Sequence, residues 1–212
     1  MLEYDLCGEE RFDPEDHAPG GGPWEAYPSA DEEGFGHVKM CYFISCPGSE
    51  LPIRGYARMG KLEPRYEESS YNEHSSCNQS GIRNGLDRGM SFIAFYTRYE
   101  GTEEECQERY FITGLFPVAA RREIDGRTAY RTDDPVFVSI EDGLELNDAT
   151  WQQWFGTDVP TDTRGAYNLR YMAKFLERDT VAWKDVMDHF EQRRDRNRFD
   201  DYVAEVEAQK DD

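Results

Sequence analysis

Four arginines lie close together in the sequence, on either side of the dipeptide Asp125-Gly126: Arg121, Arg122, Arg127 and Arg131. Asp-Gly is a favoured dipeptide in tight β-hairpin turns, so we expect the four side chains to project from one hairpin. Arginine makes bidentate hydrogen bonds to phosphate oxygens, and such contacts hold a nucleic acid in position. The spacing therefore predicts a phosphate-binding surface on this hairpin, with ion pairs to surface carboxylates as the alternative.

A second group of basic residues lies near the expected end of a helix: Arg193, Arg194, Arg196 and Arg198. Positive side chains in the last turn of a helix interact favourably with the helix dipole. Because this second group has a structural explanation of its own, we assign the phosphate contacts to the hairpin arginines.

Histidines and cysteines offer a possible zinc site, because zinc is held by four nitrogen or sulfur ligands. The candidates are His37, Cys41, Cys46, His74 and Cys77. Their spacings are not the Cys-x2-Cys form, and in a regular strand Cys41 and Cys46 point to opposite faces. Structural thiols are therefore the favoured interpretation, and zinc bound by Cys41, Cys46, His74 and Cys77 is the alternative.

Motifs of catalytic chemistry are missing from the sequence. It has no Gly-x-Ser-x-Gly turn for a nucleophilic serine, no complete phosphate-cradling glycine-lysine loop and no Gly-x-Gly-x-x-Gly fingerprint. Acidic residues are so frequent that pairs of carboxylates arise by chance. The sequence therefore assigns no catalytic residue and no cofactor, and it leaves open whether the protein is an enzyme.

Strands are expected where apolar residues recur with strand periodicity, over residues 38–46, 91–99, 110–118 and 135–140. Segment 91–99 is apolar on both faces, as expected for a central strand covered on both sides. Segment 110–118 follows after an acidic connection, so the two are expected to pair as a hairpin. The side chains expected in the core of this hairpin are Ile93, Phe95, Ile112 and Phe116.

Helices are expected in the last third of the chain. Asn147 is a favoured N-cap residue and predicts a short helix that ends near Gly156. Apolar stripes at helical spacing predict further helices over 165–177, from 179 or 180 onward, and around 199–206. Strands followed by helices indicate an α+β fold.

The hairpin over 91–118 also resembles a known family. A polar turn that contains Asn84 and Gly89 precedes the aromatic strand with Phe95 and Tyr96, and the partner strand contains Gly114. This arrangement resembles the core hairpin of the PUA-like superfamily, which includes the EVE, ASCH and YTH domains. In particular it looks like the nucleotide-modification-associated domains of prokaryotes and their viruses. The resemblance covers about residues 37–145.

This resemblance implies a small, strongly bent β-barrel followed by the helical segment, with a nucleotide-recognising pocket beside the aromatic strand. Bases are recognised by aromatic stacking and by amide or arginine groups at the base edge. Carried over to this chain, these roles fall to Asn78, Asn84, Tyr96 and Arg98. The alternative for Tyr96 and its aromatic neighbours is that they fill the core.

The balance of charge indicates the habitat. The 212 residues include 44 acidic and 24 basic ones, of which 19 are arginine and only 5 lysine, for a net charge of −20. Such a chain repels itself at low salt, whereas at 1 M salt the Debye length is only about 3 Å. We therefore expect a halophilic archaeon or its virus. An acidic mimic of DNA is the alternative, but arginine interrupts the acidic residues almost everywhere.

Three segments are expected along the chain: an acidic arm rich in glycine and proline (1–36), the PUA-like β domain (37–146) and a helical segment (147–212). No stretch is long and apolar enough to span a membrane, and the first residues lack a signal-peptide pattern. We therefore expect a cytoplasmic protein with no membrane partner. The C-terminal helices offer a surface through which two copies of the chain could form a homo-oligomer.

The residues as a whole favour a binding module that recognises nucleic acid or a modified nucleotide in a halophilic archaeon or its virus. One alternative is an enzyme that acts on a nucleotide or modified base in the same pocket, which a carboxylate desolvated in that pocket would favour. The other is a viral or host structural protein, which exposed Trp151, Trp154 or Phe199 would favour.

Overall fold

A six-stranded mixed sheet and a four-stranded antiparallel sheet form the framework of the protein. The computed structural model describes residues 23–43, 51–52, 54–56, 61–63, 70–72, 84–100, 108–124, 127–161, 169 and 174–208. Its strands are β1 (Glu25–Ala26), β2 (His37–Phe43), β3 (Arg54–Tyr56), β4 (Lys61–Glu63), β5 (Ser70–Asn72), β6 (Met90–Glu100), β7 (Glu108–Pro117), β8 (Ala120–Ile124), β9 (Arg127–Arg131), β10 (Val136–Phe137), β11 (Leu144–Glu145) and β12 (Phe175–Leu176). Its helices are α1 (Asp148–Phe155), α2 (Val181–Glu191) and α3 (Phe199–Ala208), with a 3-10 turn at Arg194–Arg196.

The six-stranded sheet has β6 near its centre, as the sequence predicts. Its order is β10-β7-β6-β2-β12, and β11 also pairs with β7. β6 runs antiparallel to β7 and parallel to β2, so the predicted hairpin is confirmed. The four residues expected in its core, Ile93, Phe95, Ile112 and Phe116, are all buried. The predicted strand over 135–140 is shorter: of these residues only Val136 and Phe137 form a strand, β10, which pairs with β7.

The four-stranded sheet contains the predicted arginine hairpin. Its order is β1-β8-β9-β5, and β8 and β9 pair on either side of residues 125–126. The chain passes from β7 into β8 with a break of only two residues. There the amide of Val118 donates to the carbonyl of Ser91 (2.8 Å), and the amide of Ala119 donates to the carbonyl of Arg131 (2.8 Å). This short passage therefore links one sheet directly to the other. A separate pair of strands, β3 and β4, forms a small two-stranded sheet.

Two apolar clusters cover the two faces of the six-stranded sheet. The first brings together residues of both sheets and of α3: Tyr27, Cys41, Phe43, Leu86, Met90, Ile93, Phe95, Phe116, Val118, Tyr130, Phe137 and Tyr202. The second packs the opposite face against α1 and α2, and its largest members are Met40, Tyr96, Tyr110, Trp151 and Phe190. β6 contributes to both clusters, which explains why its sequence is apolar on both faces.

α1 begins and ends where its capping residues predict, and α2 begins where its N-cap predicts. The Asn147 side chain accepts a hydrogen bond from the amide of Thr150 (3.0 Å), and Gly156 ends α1 with a left-handed φ of +65°. The Thr180 hydroxyl accepts from the amide of Trp183 (3.3 Å) at the start of α2. Oxygen-bearing caps satisfy amides that the first turn of a helix leaves without partners.

The predicted helix over 165–177 is wrong at its C-terminal end. Phe175 and Leu176 form the strand β12, which pairs with Lys39 and Val38 of β2. The amide of Met40 also donates to the carbonyl of Lys174 (2.9 Å). Without β12, β2 would present unpaired backbone groups at the edge of the sheet. Pairing with these groups stabilises a strand at residues 175–176, although the local sequence pattern is helical. Apart from Leu169, residues 165–173 lie outside the described residues.

The α+β prediction is confirmed, whereas the closed barrel is not. The pairings among the described residues leave both sheets open, and the PUA-like barrel stays a prediction. Among the same residues, no helix has both the length and the apolar composition required to span a membrane. The three predicted segments also stay predictions, although residues 23–36 of the expected arm contribute β1 and the core residue Tyr27.

Candidate functional site

Tyr96, the residue expected to stack on a base, lies in the core. Its side chain is only 1% exposed, and its hydroxyl donates to the carbonyl of Leu169 (2.6 Å). Its ring packs near that of Tyr42, with centroids 5.5 Å apart. Burial raises the pKa of the Tyr96 hydroxyl well above its usual range. In this position neither face of the ring is available to a base, so Tyr96 acts in packing.

The other residues expected around a nucleotide are not brought together. Asn84 is exposed at the start of a helical turn over 84–87 that precedes β6, and a Cβ atom at its neighbour Gly85 would clash with the side chain of Met90. Arg98 is half-buried near the far end of β6, opposite Tyr110. Eight residues of strand separate Met90 from Arg98, a distance of about 26 Å. Asn78 lies outside the described residues.

Strand alternation divides the four hairpin arginines. Arg121 pairs with Tyr130, a residue of the first apolar cluster, whereas Arg131 pairs with Ala120. Because neighbouring residues of a strand point to opposite faces, Arg122 and Arg131 lie together on the face that points away from Tyr130. Arg121 lies on the other face. The backbone of Arg127 begins β9, and its side chain is not among those described.

A residue that the sequence analysis did not select, Trp24, completes this outer face. The guanidinium carbon of Arg122 lies 4.5 Å from the centre of the Trp24 ring, and that of Arg131 lies 4.9 Å from it. β1 positions the indole by pairing with β8, with Ala26 opposite Ala120. We call this outer surface the Trp24 face and define it by five residues: Trp24, Ala26, Ala120, Arg122 and Arg131. The sequence signal was a tryptophan in an otherwise polar arm.

Positive charge on the Trp24 face is not neutralised by the described residues. Neither Arg122 nor Arg131 forms an ion pair there, and the Arg122 Nε atom is buried without a hydrogen-bond partner. Desolvation, followed by the nearby charge of Arg131, lowers the pKa of Arg122. Five other described arginines form ion pairs with carboxylates: Arg109 with Glu145, Arg178 with Asp31, Arg194 with Asp134, Arg196 with Asp142 and Arg198 with Asp201.

The second arginine group, at the end of α2, is thus engaged in holding the fold. Arg194 bridges Glu191 and Asp134, so it ties the end of the helix to the loop before β10. Arg196 contacts Asp142, and Arg193 donates to the carbonyl of His189 (3.3 Å). These contacts agree with the structural explanation that the sequence favours for this group.

The zinc alternative is not tested by the described residues. Cys41 is buried in the first apolar cluster, and the Nδ1 atom of His37 accepts a hydrogen bond from the amide of Arg178 (2.9 Å). Within the described part of the chain, no three histidine, cysteine or acidic side chains come together to hold a metal ion. Cys46, His74 and Cys77 lie outside it, so structural thiols stay the favoured interpretation and zinc stays the alternative.

The aromatic residues expected to be exposed in an assembly protein are covered. Trp151 is buried, and Trp154 and Phe199 are partly buried against the two apolar clusters. The indole NH of Trp154 also donates to the carboxylate of Asp185 (2.7 Å), which joins α1 to α2. These side chains hold the helices to the sheet and to one another.

Comparisons with protein-family models, with curated proteins and with solved structures found nothing that matches this chain. The site therefore has to be interpreted from its own geometry.

Proposed function

We propose that the protein is a nucleic-acid-binding module and that its contact surface is the Trp24 face. The observation that carries the proposal is the pair of arginines, Arg122 and Arg131, that flank an indole without neutralising carboxylates among the described residues. The protein has a net charge of −20, and five other described arginines form ion pairs with carboxylates.

An anion is the ligand that this pair of arginines favours. Two like charges close together raise the free energy of the folded protein, and a buried Nε without a partner raises it further. A bound phosphate reverses both effects, because it offers negative charge and several acceptor oxygens to the two guanidinium groups. Arg122 and Arg131 are diagonal neighbours on paired strands, with Cα atoms about 7–8 Å apart, so both can reach one phosphate or two successive ones.

The indole favours a nucleic acid or nucleotide over a simple anion. Phosphate contacts weaken as salt rises, because the counterions released on binding then enter a more concentrated solution and gain less entropy. In a salt-rich cytoplasm, charge alone would hold a phosphate weakly. Stacking of a base on an aromatic ring contributes about 1–3 kcal/mol and does not depend on salt in this way. A tryptophan beside two arginines supplies both kinds of contact.

The proposal also includes the PUA-like resemblance and the halophilic source. The resemblance is supported by the direct passage of the chain from β7 into β8, since strands that bend from one sheet into another make the corners of barrels. It is further supported by the irregular pairing of β6 and β7 next to Gly114. A Cβ atom at Gly114 would lie 3.1 Å from the rings of Phe116 and Phe137, so a larger residue would require these rings to shift.

Binding titrations of matched arginine variants test the proposal. Anisotropy of a labelled oligonucleotide of about 12 nucleotides, within the site size of single-strand binders, gives the affinity. It is measured from about 0.1 M to about 1 M KCl, as the Debye length falls from about 10 Å to about 3 Å. Each phosphate contact contributes about −0.7 to the slope of log affinity against log salt. Arg122→Gln and Arg131→Gln should each reduce the magnitude of this slope by about 0.7.

Arg121→Gln is the matched control, because it removes the same charge from the same strand but on the opposite face. It should leave the slope unchanged. An equal change in all three variants would show that net charge, and not the Trp24 face, governs binding. If the parent protein binds no nucleic acid at any salt concentration, the proposed function is wrong.

A further inference from the structure

We infer that the Trp24 face binds single-stranded nucleic acid, through bases that are not paired or stacked within a duplex. This inference rests on the proposed function and specifies the form of nucleic acid that the site takes. Three features of the face support it: the position of the indole, the shape of the surface and the charge around it.

The indole can stack only on a base whose face is accessible. In a duplex both faces of each internal base are covered by its neighbours, whereas unpaired bases are splayed out and stack on aromatic or guanidinium planes. Trp24 is partly exposed, and the guanidinium carbons of Arg122 and Arg131 lie 4.5 Å and 4.9 Å from the centre of its ring, so aromatic and guanidinium groups of this kind lie together here. These groups have a use in base recognition only if the bases are unpaired.

The shape of the surface also suits a single strand. Ala26 and Ala120 pair across β1 and β8, and both side chains lie on the same face as Trp24. Ala26 is exposed and Ala120 is partly exposed, so small side chains make a low area next to the indole. Reading a duplex through its major groove requires a helix or a two-stranded ribbon that projects into the groove. Arg131, Ala120 and Ala26 lie where β1 and β5 flank β8 and β9, so this part of the Trp24 face is the side of a sheet and not a helix or a projecting ribbon.

Charge around the site disfavours a duplex. A duplex carries one negative charge per about 1.7 Å of its axis, and a single strand carries half as many. On a protein with a net charge of −20, phosphates beyond the arginine pair meet repulsion. A flexible single strand can place a few phosphates at Arg122 and Arg131 and turn the others away, but a stiff duplex cannot.

Three labelled ligands with related phosphate backbones test the inference. They are a single strand of mixed sequence, the duplex of that sequence, and an abasic single strand of the same length. At about 1 M KCl, where charge contacts are weakest, the single strand should bind at least about fivefold more tightly than either other ligand, as expected when one or more bases stack.

Trp24 variants identify the residue responsible. Trp24→Ala should lower the affinity for the single strand by about 5- to 150-fold, the range that one stacked base contributes, and leave the affinity for the abasic strand unchanged. Trp24→Phe keeps an aromatic ring and should restore part of the affinity. Binding should also change the tryptophan fluorescence of the parent protein, and this change should be absent in Trp24→Phe, which retains the other three tryptophans.

The outcomes separate this inference from the proposed function. Equal affinity for duplex and single strand, with loss of binding in Arg122→Gln, would overturn the inference and leave the proposed function standing. Equal affinity for the abasic and the normal single strand would likewise overturn it. If none of the three ligands binds, both the inference and the proposed function are wrong. Should Trp24→Ala fail to fold, Trp24→Phe and the fluorescence measurement still decide between these outcomes.

Discussion

Replacing Gly89 with alanine should destabilise the protein more than the same replacement at Gly156. Both glycines have left-handed backbone conformations, with φ of +76° and +65°. They differ in their surroundings. A Cβ atom at Gly89 would lie 1.9 Å from the carbonyl oxygen of Gly34, whereas a Cβ atom at Gly156 would meet nothing within 4 Å. The turn before β6 and the loop before β2 therefore approach each other too closely for any side chain.

The expected difference in unfolding free energy is obtained by treating the backbone strain and the steric contact of the new Cβ atom separately. A left-handed conformation costs alanine about 1–2 kcal/mol, and alanine recovers about 0.4–1 kcal/mol by restricting the unfolded chain. Both terms apply equally at the two positions. Only Gly89→Ala must also displace a backbone carbonyl, for which the cost of overpacking, about 1–3 kcal/mol, is a guide. We therefore expect Gly89→Ala to lose about 1–3 kcal/mol more than Gly156→Ala.

Urea unfolding at a fixed high concentration of KCl measures this difference. With a slope of about 2 kcal/mol per molar urea, the two midpoints should differ by about 0.5–1.5 M. Asparagine tolerates left-handed φ but carries a Cβ atom. Gly89→Asn should therefore remain strongly destabilised, whereas Gly156→Asn should be close to the parent protein. Equal losses at the two positions would refute the reasoning, because they would show that strain alone matters.

Three further predictions concern salt, the core and pH. The melting temperature should rise from about 0.1 M to about 1 M KCl, because salt screens the repulsion within a chain of net charge −20; an unchanged melting temperature would contradict the halophilic interpretation. Tyr96→Phe removes the hydrogen bond to the carbonyl of Leu169 and should cost about 1–3 kcal/mol of unfolding free energy. Oligonucleotide affinity should stay the same in this variant. Weaker binding by a variant that is as stable as the parent would support the base-stacking role that the sequence predicts for Tyr96. Arg109 holds the pKa of Glu145 below its ordinary value of 4.5, so this carboxylate stabilises the fold above that pH and loses its effect as the pH falls further. Between about pH 5 and pH 3 the parent should thus lose more stability than Glu145→Gln, and parallel unfolding curves would show that the Arg109 contact is without effect.

Much of the secondary structure could be predicted because its signals are local. The apolar residues on both faces of β6, the dipeptide Asp125-Gly126 between the paired strands β8 and β9, and the caps Asn147 and Thr180 each act through neighbours in the sequence. Local signals fail where a backbone partner from another part of the chain determines the secondary structure. Residues 175–176 carry a helical pattern but form β12, because the open edge of β2 pairs with them.

The site was predicted only in part, for a related reason. The sequence alone determined that arginines gather on one hairpin and that an aromatic strand runs through the protein. Only the tertiary structure decided that Tyr96 is covered by the second apolar cluster, and that Arg122 and Arg131 share a face from which Arg121 is excluded. It also brought Trp24 to them from about a hundred residues away in the chain, through a strand of two residues. Which face of a strand meets solvent depends on what packs against it, and that packing partner is not encoded next to the strand in the sequence.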